Sequence, residues 1–310
     1  MSATRSSARF DALLVLALLS LIWSYNWIVM KQVLQWSGPF TFAAWRGALG
    51  AVTLFLLLLW RRAPLRPPPL VPLLWIGAAQ TLGFQALVQW ALVHGGAGKT
   101  ALLAYTMPFW VVGVAWLVLR ERPTRAQAVA VVVAFAGLLL VLEPWAGLGR
   151  LESSLLAIAA GLCWAIGTVL SKRLFQQGRA TILSLSAWQM AVGAVGLVAV
   201  AWAADEPATQ WTGGFIAALA YNAVLASGLA WLLWTYIVDK LPMTVSGLTS
   251  LVIPIMGVLF AWAVLGEAPS PAEWTGIALV GAALAIVALA VKPPATGSRR
   301  GRPGEVPPGR

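Results

Sequence analysis

Apolar stretches of roughly 20 residues alternate along the chain with short segments rich in Arg, Pro and Gly. About 20 apolar residues in a helix cross the ~30 Å hydrocarbon layer of a bilayer. The pattern therefore predicts an all-α membrane protein. The ten predicted spans are 11–30, 40–60, 72–93, 99–119, 126–142, 153–174, 181–203, 213–238, 244–265 and 271–291.

Composition supports this class. Of the 310 residues 60% are hydrophobic and 10% are charged, and the mean hydropathy is +0.83. Soluble domains contain about 25% charged residues, so a water-soluble enzyme is excluded. The single cysteine, Cys163, excludes a disulfide framework and a zinc site made of cysteines alone.

Basic residues predict the orientation. In the predicted topology every Lys and Arg lies on one side except Lys31, Lys99 and Arg150 on the other and Arg46 within a span. Cytoplasmic loops collect Lys and Arg, so we expect both termini in the cytoplasm of a bacterial cell, beneath the inner membrane. The net charge of +11 therefore reports orientation, and no nucleic-acid partner is expected.

The second half of the chain repeats the first. Eight residues separate a Trp from a Lys and thirteen separate a Pro from a Glu in both halves, at Trp23/Lys31, Trp164/Lys172, Pro108/Glu121 and Pro254/Glu267. The segment Ala44-Trp45-Arg46 with Gly50 recurs as Ala187-Trp188-Gln189 with Gly193. We expect a cytoplasmic N-terminus (1–10), a first five-helix repeat (11–142), a second (153–291) and a disordered cytoplasmic tail (292–310).

Five spans per copy have a geometric consequence. An odd number of crossings reverses the second copy, so the halves are predicted to be inverted repeats. Secondary transporters use such repeats to reach two mirror-related states around a site near the membrane midplane. The sequence therefore predicts a transporter.

The five-plus-five repeat, the Pro of the fourth and ninth spans, and the turns Leu119-Arg120-Glu121 and Leu265-Gly266-Glu267 resemble EamA-type transporters of the drug/metabolite transporter superfamily. Overall, the chain is most similar to bacterial inner-membrane exporters of aromatic amino acids. The resemblance implies a central cavity lined by spans one to four and six to nine. Arg120 departs from the family, in which Gly commonly precedes the Glu.

Polar side chains within the spans are candidates for that cavity, because exposing them to lipid is costly. Trp23, Asn26 and Trp27 share one helical face, and Thr81, Gln85 and Gln89 form another stripe. The candidate cavity residues are Trp23, Asn26, Arg46, Thr81, Gln85, Gln89, Trp164, Thr168, Trp188, Gln189, Tyr221, Asn222, Trp231, Ser246 and Ser250. Hydrogen bonding between helices, and simple packing of the Trp side chains, are the alternatives.

Arg46 is the sharpest candidate. It lies ~9 Å inside its span at 1.5 Å per residue, with no acidic residue in a neighbouring span as an obvious partner. We hypothesise that it contacts a substrate carboxylate, and Gln189 would be its neutral counterpart in the second copy. Snorkelling of the guanidinium to the outer headgroups is the competing interpretation.

Other signals bear on mechanism. Pro108 and Pro254 remove a helical hydrogen bond in mid-span and are candidate hinges, while Glu121 and Glu267 are expected to cap helices. The central parts of the spans contain no Asp or Glu, so ion coupling through a buried carboxylate is unsupported.

The function predicted is export of small amphipathic metabolites, aromatic amino acids and related compounds among them, by alternating access. The expected partners are a small-molecule substrate and the lipid bilayer. No cofactor or metal is expected. The alternative within the same superfamily is a carrier of other metabolites, such as phosphorylated sugars or nucleotide-sugars, which should need more cavity cations than Arg46. An intramembrane enzyme would need a cluster of His, Cys or carboxylate groups, and an ion channel charged rings or filter loops.

Overall fold

The computed structural model describes residues 2–147, 150–265 and 268–290, and within these ranges every element of regular secondary structure is a helix. The α-helices are α1 (Ser2–Gln32), α2 (Pro39–Trp60), α3 (Leu70–Ile76), α4 (Phe84–His94), α5 (Ala97–Ala104), α6 (Met107–Leu119), α7 (Arg125–Leu142), α8 (Leu151–Gln176), α9 (Ile182–Ala203), α10 (Gly213–Ala220), α11 (Ala230–Lys240), α12 (Met243–Thr249), α13 (Val252–Leu265) and α14 (Pro271–Ala290). Short 3₁₀ turns follow α1 (Val33–Gln35) and α7 (Pro144–Ala146).

The ten predicted spans are confirmed, since ten helical segments of the described chain are long and apolar enough to cross a membrane. α1 begins at Ser2, before the predicted start of the first span. Two π-helices lie within the third and eighth spans: Gly77–Gly83 joins α3 to α4, and Tyr221–Leu229 joins α10 to α11. The predicted tail, 292–310, and Glu267 lie outside the described residues.

The two copies are inverted. α7 and α14 are the fifth spans of their copies, and they pack against each other in antiparallel directions. A Cβ at Gly137 would lie 2.8 Å from the Gly276 carbonyl oxygen and 2.9 Å from Val280. A Cβ at Gly276 would lie 2.6 Å from both the Gly137 carbonyl oxygen and Val141. Equivalent helices that run antiparallel require one copy to be turned over relative to the other.

A second pair of contacts follows the same symmetry. A Cβ at Gly50 of α2 would lie 2.7 Å from Ser227 Cβ in the second π-helix. At the equivalent Gly193 of α9, a Cβ would overlap Thr81 in the first π-helix. Thr81 and Ser227 have the same offset as Pro108 and Pro254, so each copy inserts its third span against the second span of the other.

Two lysines lie at equivalent positions near the C-terminal ends of α1 and α8. Lys31 Nζ donates to the carbonyls of Leu92 (2.6 Å) and Gly95 (2.9 Å) at the end of α4. Lys172 Nζ donates to Val238, Asp239 and Leu241, at 2.9–3.0 Å, where α11 ends. The last carbonyls of a helix lack intrahelical partners and carry partial negative charge. Each ammonium group therefore joins the first and third spans of its copy.

The fourth and ninth spans are both broken. α5 and α6 are separated at Tyr105–Thr106, and α12 and α13 at Ser250–Leu251. Pro108 and Pro254 follow the two breaks, each in the first turn of the next helix, where its missing N–H leaves no bond unmade. The expectation that each Pro removes a hydrogen bond within a continuous helix is therefore wrong, because the helix is already broken before the Pro. Flexing of the spans at these two breaks stays a prediction.

Candidate functional site

A small cavity lies at the centre of the bundle, among helices of both copies. We call it the central chamber. It is lined by Trp23, Asn26, Trp27, Met30, Arg46, Phe84, Ala104, Tyr105, Met107, Trp164 and Trp231. Its free volume of about 30 Å³ admits one or two water molecules and no metabolite. A substrate therefore enters only if the lining side chains move apart.

Aromatic rings fill most of the centre. The Trp23 ring lies 5.3 Å from Trp164 and 6.2 Å from Trp231 between centroids, and both pairs are edge to face. Trp164 and Trp231 are 5.0 Å apart, and Phe84 packs on Trp164 at 4.6 Å. These separations are typical of favourable aromatic pairs. Both copies thus contribute to one aromatic cluster.

Arg46 is buried against this cluster, with 4% of its surface exposed. Its Nε donates to Ser227 Oγ at 3.3 Å and its Nη1 to Met30 Sδ at 2.8 Å, and both partners are neutral. Within the described chain the guanidinium forms no salt bridge. Such burial is inconsistent with snorkelling to the headgroups. A buried cation without a counter-ion is costly, so the chamber favours an anionic group.

Several donors around the chamber have no partner. The indole nitrogens of Trp164, Trp231 and the adjacent Trp234 are buried without a hydrogen bond, and these side chains are 1–2% exposed. Trp23 differs, because its Nε1 donates to the Ala226 carbonyl at 3.0 Å. The lining also holds one unpartnered acceptor, Asn26 Oδ1. Buried polar groups normally have partners, so these groups are the ones that could hydrogen-bond to a ligand in the chamber.

A larger cavity lies next to the chamber, towards the end of the bundle opposite the arginine-rich loops. We call these ends the far end and the basic end, and this cavity the far-end vestibule. Its volume is about 460 Å³, and it lies between α1, α5, α13 and the far-end segments of α7 and α14. Trp27 lines both cavities, and its ring packs on that of Tyr105, with 6.1 Å between the centroids. The Trp27–Tyr105 pair therefore separates the vestibule from the chamber.

Charged groups rim the vestibule, and all of them have partners. Lys99 Nζ donates to the Gly147 carbonyl. Glu143 Oε1 accepts from Ser270 Oγ at 2.8 Å, and Glu273 Oε2 accepts from the Ser270 amide at 2.7 Å. Deeper in, Ser24 Oγ donates to the Ile253 carbonyl at 2.8 Å, just before Pro254. The vestibule thus has a charged rim, and its deeper lining is mostly apolar.

The basic end is closed between the same two broken spans. α6 and α12 are in direct contact, because a Cβ at Gly247 would lie 3.4 Å from Pro108 Cα, an ordinary van der Waals distance. Glu121 Oε1 accepts a hydrogen bond from the Met243 amide at 2.9 Å. Glu121 therefore caps a helix, as expected, but the helix belongs to the other copy. In this structure α5 and α13 leave space at the far end, whereas α6 and α12 seal the basic end.

The sequence candidates divide into two groups. Trp23, Asn26, Arg46, Trp164 and Trp231 line the chamber. The others do not line it, although most of them are buried between helices: Thr81, Gln85, Gln89, Thr168, Gln189, Asn222, Ser246 and Ser250 are buried, and Trp188 and Tyr221 are partly buried.

Several of this second group hydrogen-bond between or within helices. Thr168 Oγ1 accepts from Gln80 Nε2 at 3.0 Å, and Tyr221 Oη donates to the Ile22 carbonyl at 2.6 Å. Trp188 lies away from the chamber, where its Nε1 donates to the Leu65 carbonyl at 3.2 Å and its ring packs on Phe55. For these residues the geometry matches the alternative interpretation, hydrogen bonding and packing between helices.

Sequence reasoning missed five chamber residues, Met30, Phe84, Ala104, Tyr105 and Met107, and it placed Trp27 on the right helical face without including it among the candidates. Met30 could have been found, because it follows Asn26 by four residues on the same face of α1. Tyr105 and Met107 flank the helix break before Pro108, where side chains from two half-helices converge. Phe84 carries no sequence signal beyond its apolar character.

Comparison with known proteins identifies the family. The model of the EamA-like transporter family matches residues 11–143 and 152–289, one match for each copy. The chain belongs to the EamA-like transporter family. It is thus a multi-pass membrane protein of a bacterial transporter family, and the ten helices and their duplication are those of an EamA-like transporter.

Relatives and a solved structure agree with this family. The chain is 26% identical to "Uncharacterized transporter YoaV" of Bacillus subtilis over 80% of this chain and 86% of the relative. It is 28% identical to "Probable terminal-alkyne amino-acid exporter" of Streptantibioticus cattleyicolor (74% of each chain). "Probable amino-acid metabolite efflux pump" of Salmonella typhimurium is 26% identical over 91% of this chain and 94% of its own. A solved crystal structure shares the fold, with TM-score 0.74 and 22% identity over 90% of this chain and 96% of its own.

Proposed function

We propose that this EamA-like transporter is a secondary exporter of small amphipathic metabolites, with aromatic amino acids among its substrates. It would act in the bacterial inner membrane with both termini in the cytoplasm, so that the basic end faces inwards. The observation that carries the proposal is the central chamber. An unpaired guanidinium, Arg46, meets an aromatic wall from both copies there. Two relatives whose names denote amino-acid export and amino-acid metabolite efflux support the substrate class.

The inverted repeat supplies the transport cycle. In this structure the basic end is sealed by α6 and α12, and a vestibule lies at the far end between α5 and α13. If the copies exchange conformations, the far end closes and the basic end opens, as in other inverted-repeat carriers. The breaks before Pro108 and Pro254 are where we expect the half-helices to pivot.

Within this cycle the chamber residues have separate tasks. Arg46 holds the substrate carboxylate, and the rings of Trp23, Trp164 and Trp231 contact the apolar part. Because the chamber is almost filled, substrate entry requires these rings to separate. Release to the far end then requires the Trp27–Tyr105 pair to part. A carrier of sugar phosphates would need more than the one cation that the described lining provides.

The test is transport by purified protein in liposomes. We expect radiolabelled phenylalanine or tryptophan to exchange across the membrane in counterflow, and Arg46→Gln to lose this exchange while reconstituting normally. A parallel measurement with an imposed pH gradient separates a facilitator from a proton-coupled carrier. Gln210→Ala, a loop substitution at the far end, is the matched control. Unchanged exchange by the Arg46 variant, or ATP dependence of the wild type, would contradict the proposal.

A further inference from the structure

The charges of the central chamber are strongly unbalanced. Its one charged lining residue within the described chain is Arg46, and the ionisable group of Tyr105 is the other titratable side chain there. The carboxylates of Glu143 and Glu273 line the vestibule, not the chamber, and both accept hydrogen bonds from Ser270. The chamber itself therefore offers positive charge and no negative charge.

Among the unpartnered hydrogen-bonding groups of the lining, donors also outnumber acceptors, which again favours an anion. Unpartnered indole donors of Trp164 and Trp231 stand in the lining with the guanidinium, against a single unpartnered amide acceptor, Asn26 Oδ1. A carboxylate is an acceptor with about four lone-pair positions. It matches this donor set. An ammonium group brings three donors and no acceptor, and one amide oxygen cannot satisfy it.

The aromatic rings do not replace the missing acceptors. A ring face can bind an ammonium group, but in the closed cluster neighbouring rings cover these faces, as in the edge-to-face Trp23–Trp164 and Trp23–Trp231 pairs. Once the rings separate, the aromatic ring of the substrate takes their place. The α-ammonium of an amino acid also lies next to its carboxylate. Binding the carboxylate to Arg46 therefore brings two positive charges close together in a buried site.

From this imbalance we infer that the recognised substrate group is the carboxylate alone, and that aromatic monocarboxylates without an amino group are substrates. This inference rests on the proposed function and deepens it. Arg46 binds the carboxylate, the indole N–H groups of Trp164 and Trp231 complete its hydrogen bonds, and the ring of the substrate enters the aromatic cluster. The amino group of an amino acid is tolerated and contributes no affinity.

The test uses three ligands that differ in one group each. 3-Phenylpropionate lacks the amino group of phenylalanine, and phenethylamine lacks its carboxylate. Binding of each radiolabelled compound to purified protein is measured by equilibrium dialysis. We expect 3-phenylpropionate to bind at least as tightly as phenylalanine and phenethylamine to show no saturable binding. Because hydrogen bonds to charged groups contribute about 1.5–3 kcal/mol, we expect Arg46→Gln to weaken the binding of both carboxylates by roughly tenfold to a hundredfold.

A second variant tests the indole donors without emptying the chamber. Trp164→Phe keeps an aromatic ring and removes the N–H, so we expect weaker binding of both carboxylates. Trp202→Phe is the control, because Trp202 is 87% exposed on the outside of the bundle. Binding of phenylalanine without 3-phenylpropionate, or binding of phenethylamine as tight as that of phenylalanine, overturns this inference and leaves amino-acid export standing. Failure of all three ligands to bind overturns both proposals.

Discussion

The Glu121 carboxylate of the first copy accepts a hydrogen bond from the Met243 amide of the second, with 2.9 Å between Oε1 and the amide nitrogen. Met243 is the first residue of α12, where backbone N–H groups have no intrahelical partners and the helix dipole favours an anion. The bond therefore fastens the end of the fourth span to the start of the ninth. It would have to break if the basic end opened.

Removing this carboxylate should loosen the closed basic end. Loss of a helix cap costs about 0.5–2 kcal/mol, so Glu121→Ala should increase the population with α6 and α12 apart. A cysteine at Ala115, which is 1% exposed, reports on it in a Cys163→Ala background. We expect a thiol reagent to label this cysteine several times faster in Glu121→Ala.

Two further variants sharpen that experiment. Glu121→Gln retains an oxygen acceptor, so its labelling rate should lie between those of wild type and Glu121→Ala. Glu152→Ala removes an exposed carboxylate at the other end of the bundle and should change nothing. Equal labelling rates in wild type and Glu121→Ala would show that the bond does not hold the basic end closed.

The contact between Gly137 and Gly276 predicts a local intolerance to side chains. Gly276→Ala would place a methyl group 2.6 Å from a carbonyl oxygen of α7. Such overpacking costs about 1–3 kcal/mol, so the melting temperature in detergent should fall. Gly281→Ala in the same helix meets nothing within 4 Å. It should be neutral or stabilising, by up to about 1 kcal/mol, and equal destabilisation by both variants would refute the packing argument.

Lys172 and Lys31 are expected to stabilise equivalent joints. Lys172→Met keeps the length of the side chain but leaves three carbonyls at the end of α11 without their donor. Hydrogen bonds from a charged group contribute about 1.5–3 kcal/mol, so we expect a clear loss of thermal stability, and a smaller loss for Lys31→Met with its two bonds.

Lys240→Met is the control for these lysine variants. Lys240 is 57% exposed, and its contact is a surface ion pair with Asp239, which is worth about 0–1 kcal/mol. The melting temperature of all three variants is measured from the loss of monodisperse protein on heating. A melting temperature for Lys172→Met equal to that of Lys240→Met would contradict the proposed joint.

Much of the architecture could be predicted, because hydropathy marks each span and the basic loops mark alternate ends. The spacing from Pro108 to Glu121, repeated from Pro254, indicated two copies, and their odd number of spans required the inversion. The π-helices carried no such signal. In the second π-helix the Ala226 carbonyl accepts a hydrogen bond from Trp23 Nε1 of another span, a contact that hydropathy does not record.

The candidate site could be predicted only in part. A polar residue in a span indicates that its face avoids lipid, which is equally true beside a cavity and between helices. The two cases look alike in the sequence: Asn26 lines the chamber, whereas Thr168 accepts a hydrogen bond from Gln80 where two helices pack together. The near-filling of the chamber depends on how the Trp rings pack across copies, and no spacing along the chain determines that.

The central claim is that the chamber opens to each end in turn. Electron–electron distances between spin labels test it directly, with one pair at Gly98 and Gly257 across the far-end vestibule and one at Arg120 and Lys240 at the basic end, both in a Cys163→Ala background in lipid. With substrate present, we predict a second population in which the far-end distance is shorter and the basic-end distance is longer than in the structure described above. Unchanged single distances at both ends in protein that still transports substrate would contradict the account.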